Sequence, residues 1–170
     1  MVNLVGELSP NIKVLDFECG SGGFLAAVIN KEVELENIRG VDIDELPYVI
    51  AKTYLALYFK KTGNEEVETL PVIKGNGLFY QGDDWDLIIG NPAGGSKYEH
   101  GDLEKIGENL NLDLDKNGRL DSLSEYGLSV QQAVSSAKVG GKICLVLPEG
   151  FFSNSNDEYL RNFVSKYCKV

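Results

Sequence analysis

KVLDFECGSGGFL, running from Lys13 to Leu25, joins an apolar run that closes on an acid to a glycine-rich turn and then to a second apolar run at helical spacing. Val14, Leu15 and Phe17 suit a buried strand, with Asp16 near its carboxyl end. Gly20, Gly22 and Gly23 permit a tight reversal and close approach of a ligand. Phe24, Leu25, Val28 and Ile29 then open a helix whose unpaired N-terminal amides favour an anionic group in the turn. Strand, glycine turn and helix in this order predict a nucleotide-type site.

Working outward, the same grammar repeats. Asn37 to Asp44 (NIRGVDID) reads as a second strand, and Asp42 lies 22 residues beyond Gly20, a distance that suits a carboxylate accepting from ribose hydroxyls in a doubly wound fold. A helix follows, with Leu46, Ile50, Tyr54, Leu57 and Tyr58 as its inward stripe. Pro71 to Gly77 (PVIKGNG) is a third short strand. Trp85 to Pro92 (WDLIIGNP) is a fourth, apolar almost throughout, as strands covered on both faces are. Residues 93–122 lack apolar periodicity, and a loop of that length in a compact domain is usually functional or disordered. A helix from about Ser124 to Lys138 is expected to stop at Gly140 and Gly141. Lys142 to Leu147 is a fifth strand, Asp157 to Tyr167 a last helix with Tyr159, Leu160, Phe163, Val164 and Tyr167 inward, and Cys168 to Val170 the start of a sixth strand.

Strands alternating with helices predict an α/β fold, a doubly wound and mostly parallel sheet with helices on both faces, in one domain over residues 1–170. Ligands in such sheets sit beyond the carboxyl ends of the strands. The turn at Gly20, Asp42, Asn76 and Asn91-Pro92 all fall at those ends, so four segments converge on one crevice.

Composition narrows the partners. The 170 residues carry 26 acids against 16 bases, a net charge of −10, and no Lys/Arg cluster interrupts it. Phosphate neutralisation supplies most non-specific nucleic-acid affinity, so the domain alone should bind DNA or RNA poorly. Cys19, Cys144 and Cys168 are odd in number, widely spaced and without a CxxC, which argues against disulfides and zinc. With no signal peptide and no apolar run of spanning length, a cytoplasmic, reducing setting away from membranes is expected.

Three cofactors share this architecture. A P-loop is excluded, because no GxxxxGK[ST] occurs. The dinucleotide fingerprint wants a third glycine where this chain has Leu25. The third candidate is S-adenosylmethionine, and here VLDFECGSGGFL resembles the first motif of the gamma class of N-6 adenine DNA methyltransferases, which includes the modification subunits of type I restriction systems. Asp16, Cys19, Gly20, Ser21, Gly22, Gly23, Phe24 and Leu25 match its D-P-x-C-G-S-G-G-F-L pattern. GVDID, KGNG, DLIIGNP and GGKICLVLPEGFF follow in the family's order, so the likeness covers nearly the whole chain.

That resemblance implies a Rossmann-like class I methyltransferase fold and a set of roles. Asp16, Cys19 and the backbone at Gly20 and Gly22 would hold the methionine end of S-adenosylmethionine, Asp42 its ribose, Ile43 its adenine face and Asn76 the adenine amino group. Asn91 and Pro92 would do the chemistry. The target nitrogen's lone pair is delocalised into the adenine ring, and acceptors aimed at its two protons stabilise the positive charge that develops there. By the resemblance, the Asn91 side-chain oxygen and the Pro92 carbonyl would be those acceptors.

Two departures stand out. Asn76 occupies a place where the family commonly has Asp. Asn91-Pro92-Ala93-Gly94 stands where the family has N-P-P and an aromatic that stacks on a base flipped out of the duplex. Either Tyr98, Phe79, Phe151 or Phe152 replaces that ring, or the site is a degenerate scaffold. Transfer to an RNA base or a protein glutamine is a further rival. The family also continues through more strands and a target-recognition domain or specificity subunit, so DNA is expected to be held by a missing domain or a partner, with self-association left open. No metal site is expected. Asp113, Asp115, Asn117, Gly118 and Asp121 imitate a calcium loop, but position 12 is Ser124 rather than a bidentate Glu.

Overall fold

The computed structural model describes residues 2–62, 69–80, 82, 84–92 and 125–170. β1 (Val14–Asp16), β2 (Ile38–Asp42), β3 (Val72–Lys74), β4 (Trp85–Gly90) and β5 (Ala137–Leu145) form one sheet in the order β3-β2-β1-β4-β5. Every neighbouring pair is parallel, and Val14 faces Ile38 on one side and Leu87 on the other. The strand order reverses beside β1, so a crevice opens where β1 and β4 end.

Successive side chains of a strand point to opposite faces, and the burial follows that rule. Val14, Leu87 and Ile89 pack with Leu25 and Val28 of α1 (Gly23–Ile29) and Ala51, Leu55 and Phe59 of α2 (Glu45–Thr62). Leu15 and Ile88 pack on the other face with Leu128 and Ala133 of α3 (Glu125–Ser136). The short α4 (Gly150–Ser153) and α5 (Glu158–Tyr167) close the end of that layer, where Phe151 and Leu160 meet Val130. At the opposite end of the sheet from the crevice, Asp86 accepts from the Lys13 amide at 2.8 Å and pairs with Lys138, tying β1, β4 and β5 together. The Lys138 hydrogen bond, then the Lys13 amide, hold the Asp86 carboxyl below the usual carboxylate range.

Three expectations are corrected. The expected stripe of α2 does not face the sheet: Leu46 and Leu57 are 70% and 62% exposed, Ile50 and Tyr54 are also exposed and Tyr58 is half-buried, while Ala51, Leu55 and Phe59 are buried. The helix is apolar around most of its circumference, so bulk did not select the inward face. Closeness did, because a Cβ built on Gly22 would stand only 3.3 Å from the Ala51 Cβ. Next, α3 stops at Ser136, and Gly140 and Gly141 lie inside β5 rather than ending a helix. β5 meets β4 at Ala137 and Trp85, leaves the ladder over residues 138–141, and rejoins it where Lys142 faces Leu87. Finally, Tyr167 is 58% exposed although Leu160 of the same helix is fully buried.

Cys168 follows α5 with extended backbone (φ −123, ψ 147) but joins no strand among the described residues. The interval 93–122, the calcium-like positions around Asp113, and Tyr98 lie outside the described residues. Among the described residues no helix is long and apolar enough to cross a membrane.

Candidate functional site

The glycine turn after β1 is pinned from three directions. The Cys19 amide donates to the Val41 carbonyl at 2.9 Å, the Gly22 amide to the Cys19 carbonyl at 2.9 Å, and the Gly20 amide to Asp42 Oδ2 at 2.8 Å. Gly20 (φ 53) and Gly22 (φ 78) occupy left-handed backbone that a side chain would strain. Gly22 then caps α1 from that conformation. These contacts hold the turn in shape.

Beside it lies a cavity of about 510 Å³, lined by Val2, Asn3, Glu18, Cys19, Gly20, Ser21, Gly23, Phe24, Ala27 and Asn91. Asn91 is exposed and follows directly on β4, and the buried Pro92 comes next. The structure thus brings Cys19 and Gly20 of the first motif and Asn91 of the fourth strand's end into one lining. Gly22 sits behind that lining against α2.

Asp42 touches the turn through Gly20, and none of Asp42, Ile43 and Asn76 lines the cavity. Asp42 accepts from Gly20 through Oδ2 and from the Asp44 amide through Oδ1 at 2.9 Å. An ionised carboxylate has about four acceptor positions, so both oxygens retain capacity for hydroxyl donors. Ile43, the next residue, is 54% exposed. The Asn76 side-chain oxygen accepts from the Leu78 amide at 2.9 Å and caps the single 3-10 turn Gly77–Phe79. That turn presses on β1: a Cβ on Gly77 would lie 1.7 Å from the Phe17 carbonyl oxygen.

Asp16 is 1% exposed and does not reach the cavity wall. Its Oδ1 accepts weakly from the Glu18 amide at 3.4 Å, and its Oδ2 is buried with no hydrogen-bond partner among the described residues. Burial pushes this carboxyl up to about 8; the Glu18 amide opposes the rise, and the charges of Glu18 and Asp42 add to it. Asp16 is accordingly neutral near pH 7. Burial, with the charges of Asp16 and Asp42, also raises the Cys19 thiol, so it stays protonated and is no nucleophile.

Sequence reasoning missed Glu18. It sits between motif residues at a position the resemblance leaves variable, yet it lines the cavity and its carboxylate accepts from the Ser129 hydroxyl on α3. Asp16, two residues earlier, is also an acid, so acidity alone did not single Glu18 out. Val2 and Asn3, near the start of the chain, also line the cavity. Of the aromatic substitutes, Phe151 is buried in the α3–α5 core and Phe79 is half-buried, whereas Phe152 is 69% exposed and stacks edge-on against Phe151 at 5.1 Å.

The model of the family described as N-6 DNA methylase matches residues 1–168. The type II restriction enzyme and methyltransferase RM.BcgI of Heyndrickxia coagulans is 26% identical over 168 residues, covering 92% of this chain and 23% of that protein. A solved Listeria monocytogenes protein assigned to the class I S-adenosylmethionine-dependent methyltransferases superposes with a TM-score of 0.70 at 20% identity, over 97% of this chain and 48% of that one. The methyltransferase subunit of a type I restriction-modification system from Streptococcus thermophilus gives 0.68 at 15% identity, over 97% and 35%. The chain therefore spans less than half the length of each of these relatives, and the fold is that of the class I methyltransferases.

Proposed function

Because this chain belongs to the N-6 DNA methylase family, we propose that it forms the cofactor-binding core of an enzyme that methylates the N-6 amino group of adenine in DNA within a restriction-modification system. The observation that carries the reading is the cavity that joins the glycine turn to Asn91. Its volume of about 510 Å³ falls within the range of roughly 300 to 1,000 Å³ common for small-molecule sites. Its lining of turn backbone, one carboxylate and two carboxamides fits S-adenosylmethionine, which when bound supplies an electrophilic methyl group.

The protein's part is positioning and charge stabilisation. Gly20 and Gly22 keep the turn open for close approach, and Cys19, neutral and packed beneath it, fills the space behind. Asp42 holds the turn through one oxygen and has capacity left for ribose hydroxyls. Ile43 offers an apolar rim for an adenine ring, and Asn76 keeps one oxygen lone pair for its amino group. Asp16 supports the strand end from below rather than touching ligand. Asn91 Oδ1 and the Pro92 carbonyl accept from the two protons of the target amino group, drawing the nitrogen lone pair out of the ring as positive charge develops.

DNA and a specificity subunit or further domain belong to this reading as partners, since a chain with net charge −10 has little electrostatic purchase on phosphate. Transfer of labelled methyl groups to DNA by the full-length protein with its partner should fall at least a hundredfold, on the order expected for a lost transition-state hydrogen bond, in Asn91→Ala while S-adenosylhomocysteine affinity is kept. Equal labelling by wild type and variant sinks the reading. The sequence Asn91-Pro92-Ala93-Gly94 supports a second reading, a scaffold that retains the cofactor fold without turnover. Methylation that appears only in Ala93→Pro with Gly94→Tyr selects it.

A further inference from the structure

α2 is apolar on two opposite faces. Ala51, Leu55 and Phe59 are buried with α1 and the sheet. Half a turn round the helix, Leu46, Ile50 and Leu57 stand in solvent with Val49 and Tyr54 beside them, each at least 43% exposed. Their helical spacing makes one stripe along about three turns. A helix apolar all round is normally enclosed, and a contiguous exposed apolar stripe marks an interaction surface. Thr53 lies at the middle of the stripe, and its hydroxyl donates to the Val49 carbonyl at 2.8 Å, so it can be covered without leaving a polar atom unpaired. Charge is divided between the ends: Asp44 and Glu45 stand at the start of the helix and Lys60 and Lys61 at its close, all exposed.

We propose that this outer face of α2 is a dimer contact, taken by the α2 of a second copy of the chain lying antiparallel to it. A two-fold contact needs a face that complements itself, and this face does so only in that direction. With Thr53 on the axis, Leu57 packs against the partner's Val49 and the partner's Ile50, while Lys60 and Lys61 meet the partner's Asp44 and the partner's Glu45 at both ends. A parallel arrangement sets lysines on lysines and acids on acids. Antiparallel helices also oppose their dipoles. Glu45 already pairs with Lys74 of β3, an exposed pair that leaves its second oxygen open to another cation. α2 carries three lysines against one acid, in a chain of net charge −10, so the contact joins a part of the chain where like-charge repulsion is small. The face lies outside the core of either copy, each of which folds without it, and the assignment does not depend on the cofactor reading.

Sedimentation velocity on the full-length protein tests the contact. Wild type should pass from monomer to dimer as its concentration rises, and Leu57→Glu should raise the dissociation constant at least about tenfold, on the scale of losing a central apolar anchor. Exchanging charges tests the pairing of the ends. Lys60→Glu with Lys61→Glu, and separately Asp44→Lys with Glu45→Lys, should each weaken self-association, and the two variants mixed should dimerise with one another. These positions are exposed, so the charge variants carry the test if Leu57→Glu does not fold. A wild-type protein that stays monomeric overturns the proposal. So does a dimer indifferent to Leu57→Glu, or a pair of charge variants that does not associate on mixing. Binding of a different protein that Leu57→Glu abolishes, with wild type monomeric on its own, gives the face another occupant and overturns it as well.

Discussion

Asp16 shows how far a residue's chemistry depends on its surroundings. The sequence places it at the end of β1, where an acid suits a ligand-facing role, but the fold encloses it beneath the turn and raises its pKa from 3.8 to about 8. The native protein then keeps a proton that the unfolded chain releases above about pH 4. Stability contributed by that proton is fully present below the unfolded value and is lost as pH rises toward 8. Asp16→Asn removes the titration. In urea unfolding without ligand, the variant's midpoint relative to wild type should rise steadily between about pH 5 and about pH 8, and parallel pH profiles would contradict the burial. Glu18, two residues on, was invisible for the converse reason: nothing in spacing or composition tells which side chain of a turn faces inward.

At the scale of elements, α2 separates what patterning can and cannot say. Its existence and length were legible from Glu45 to Thr62, and its inward face was not, because leucines and tyrosines lie on all sides and the deciding contact is Ala51 against Gly22. Leu55→Ala should cost about 2 to 5 kcal/mol as a core truncation, while Leu57→Ala, at 62% exposed, should stay within roughly 0.5 kcal/mol. Comparable losses in chemical denaturation would restore the stripe first expected. The junction of α3 with β5 failed differently. Gly140 and Gly141 carry a strong stop signal, but an irregular stretch of strand needs the same residues, and only the pairing of Ala137 with Trp85 distinguishes them. The KGNG segment was legible as a strand end, though not its reason: Gly77 touches the Phe17 carbonyl, so Gly77→Ala forces backbone apart and should cost about 1 to 3 kcal/mol. Gly75→Ala, whose Cβ would meet only Val41 at 3.9 Å, should cost less, and the two melting curves decide.

For the whole molecule, the parallel sheet with helices on both faces followed from the alternation of apolar runs and turns, whereas the strand order came only from the pairing. The charge, too, was readable from composition and makes a prediction at this scale: without partner, the chain should give no gel shift of duplex DNA at physiological salt, and a shift there would locate DNA affinity in this domain. The order β3-β2-β1-β4-β5 has one more consequence. β1 lies at the centre of the sheet, but its two neighbours come from far apart, Val14 pairing with Ile38 and then with Leu87. Contacts so distant along the chain form slowly, and until β4 docks, one edge of β1 stays open. Asn91 rides in with β4. A partly folded chain with β4 undocked therefore has the glycine turn but lacks the Asn91 side of the cavity, so any ligand that needs the complete cavity acts as a folding ligand, drawing the whole chain toward the native state in proportion to its concentration over its dissociation constant.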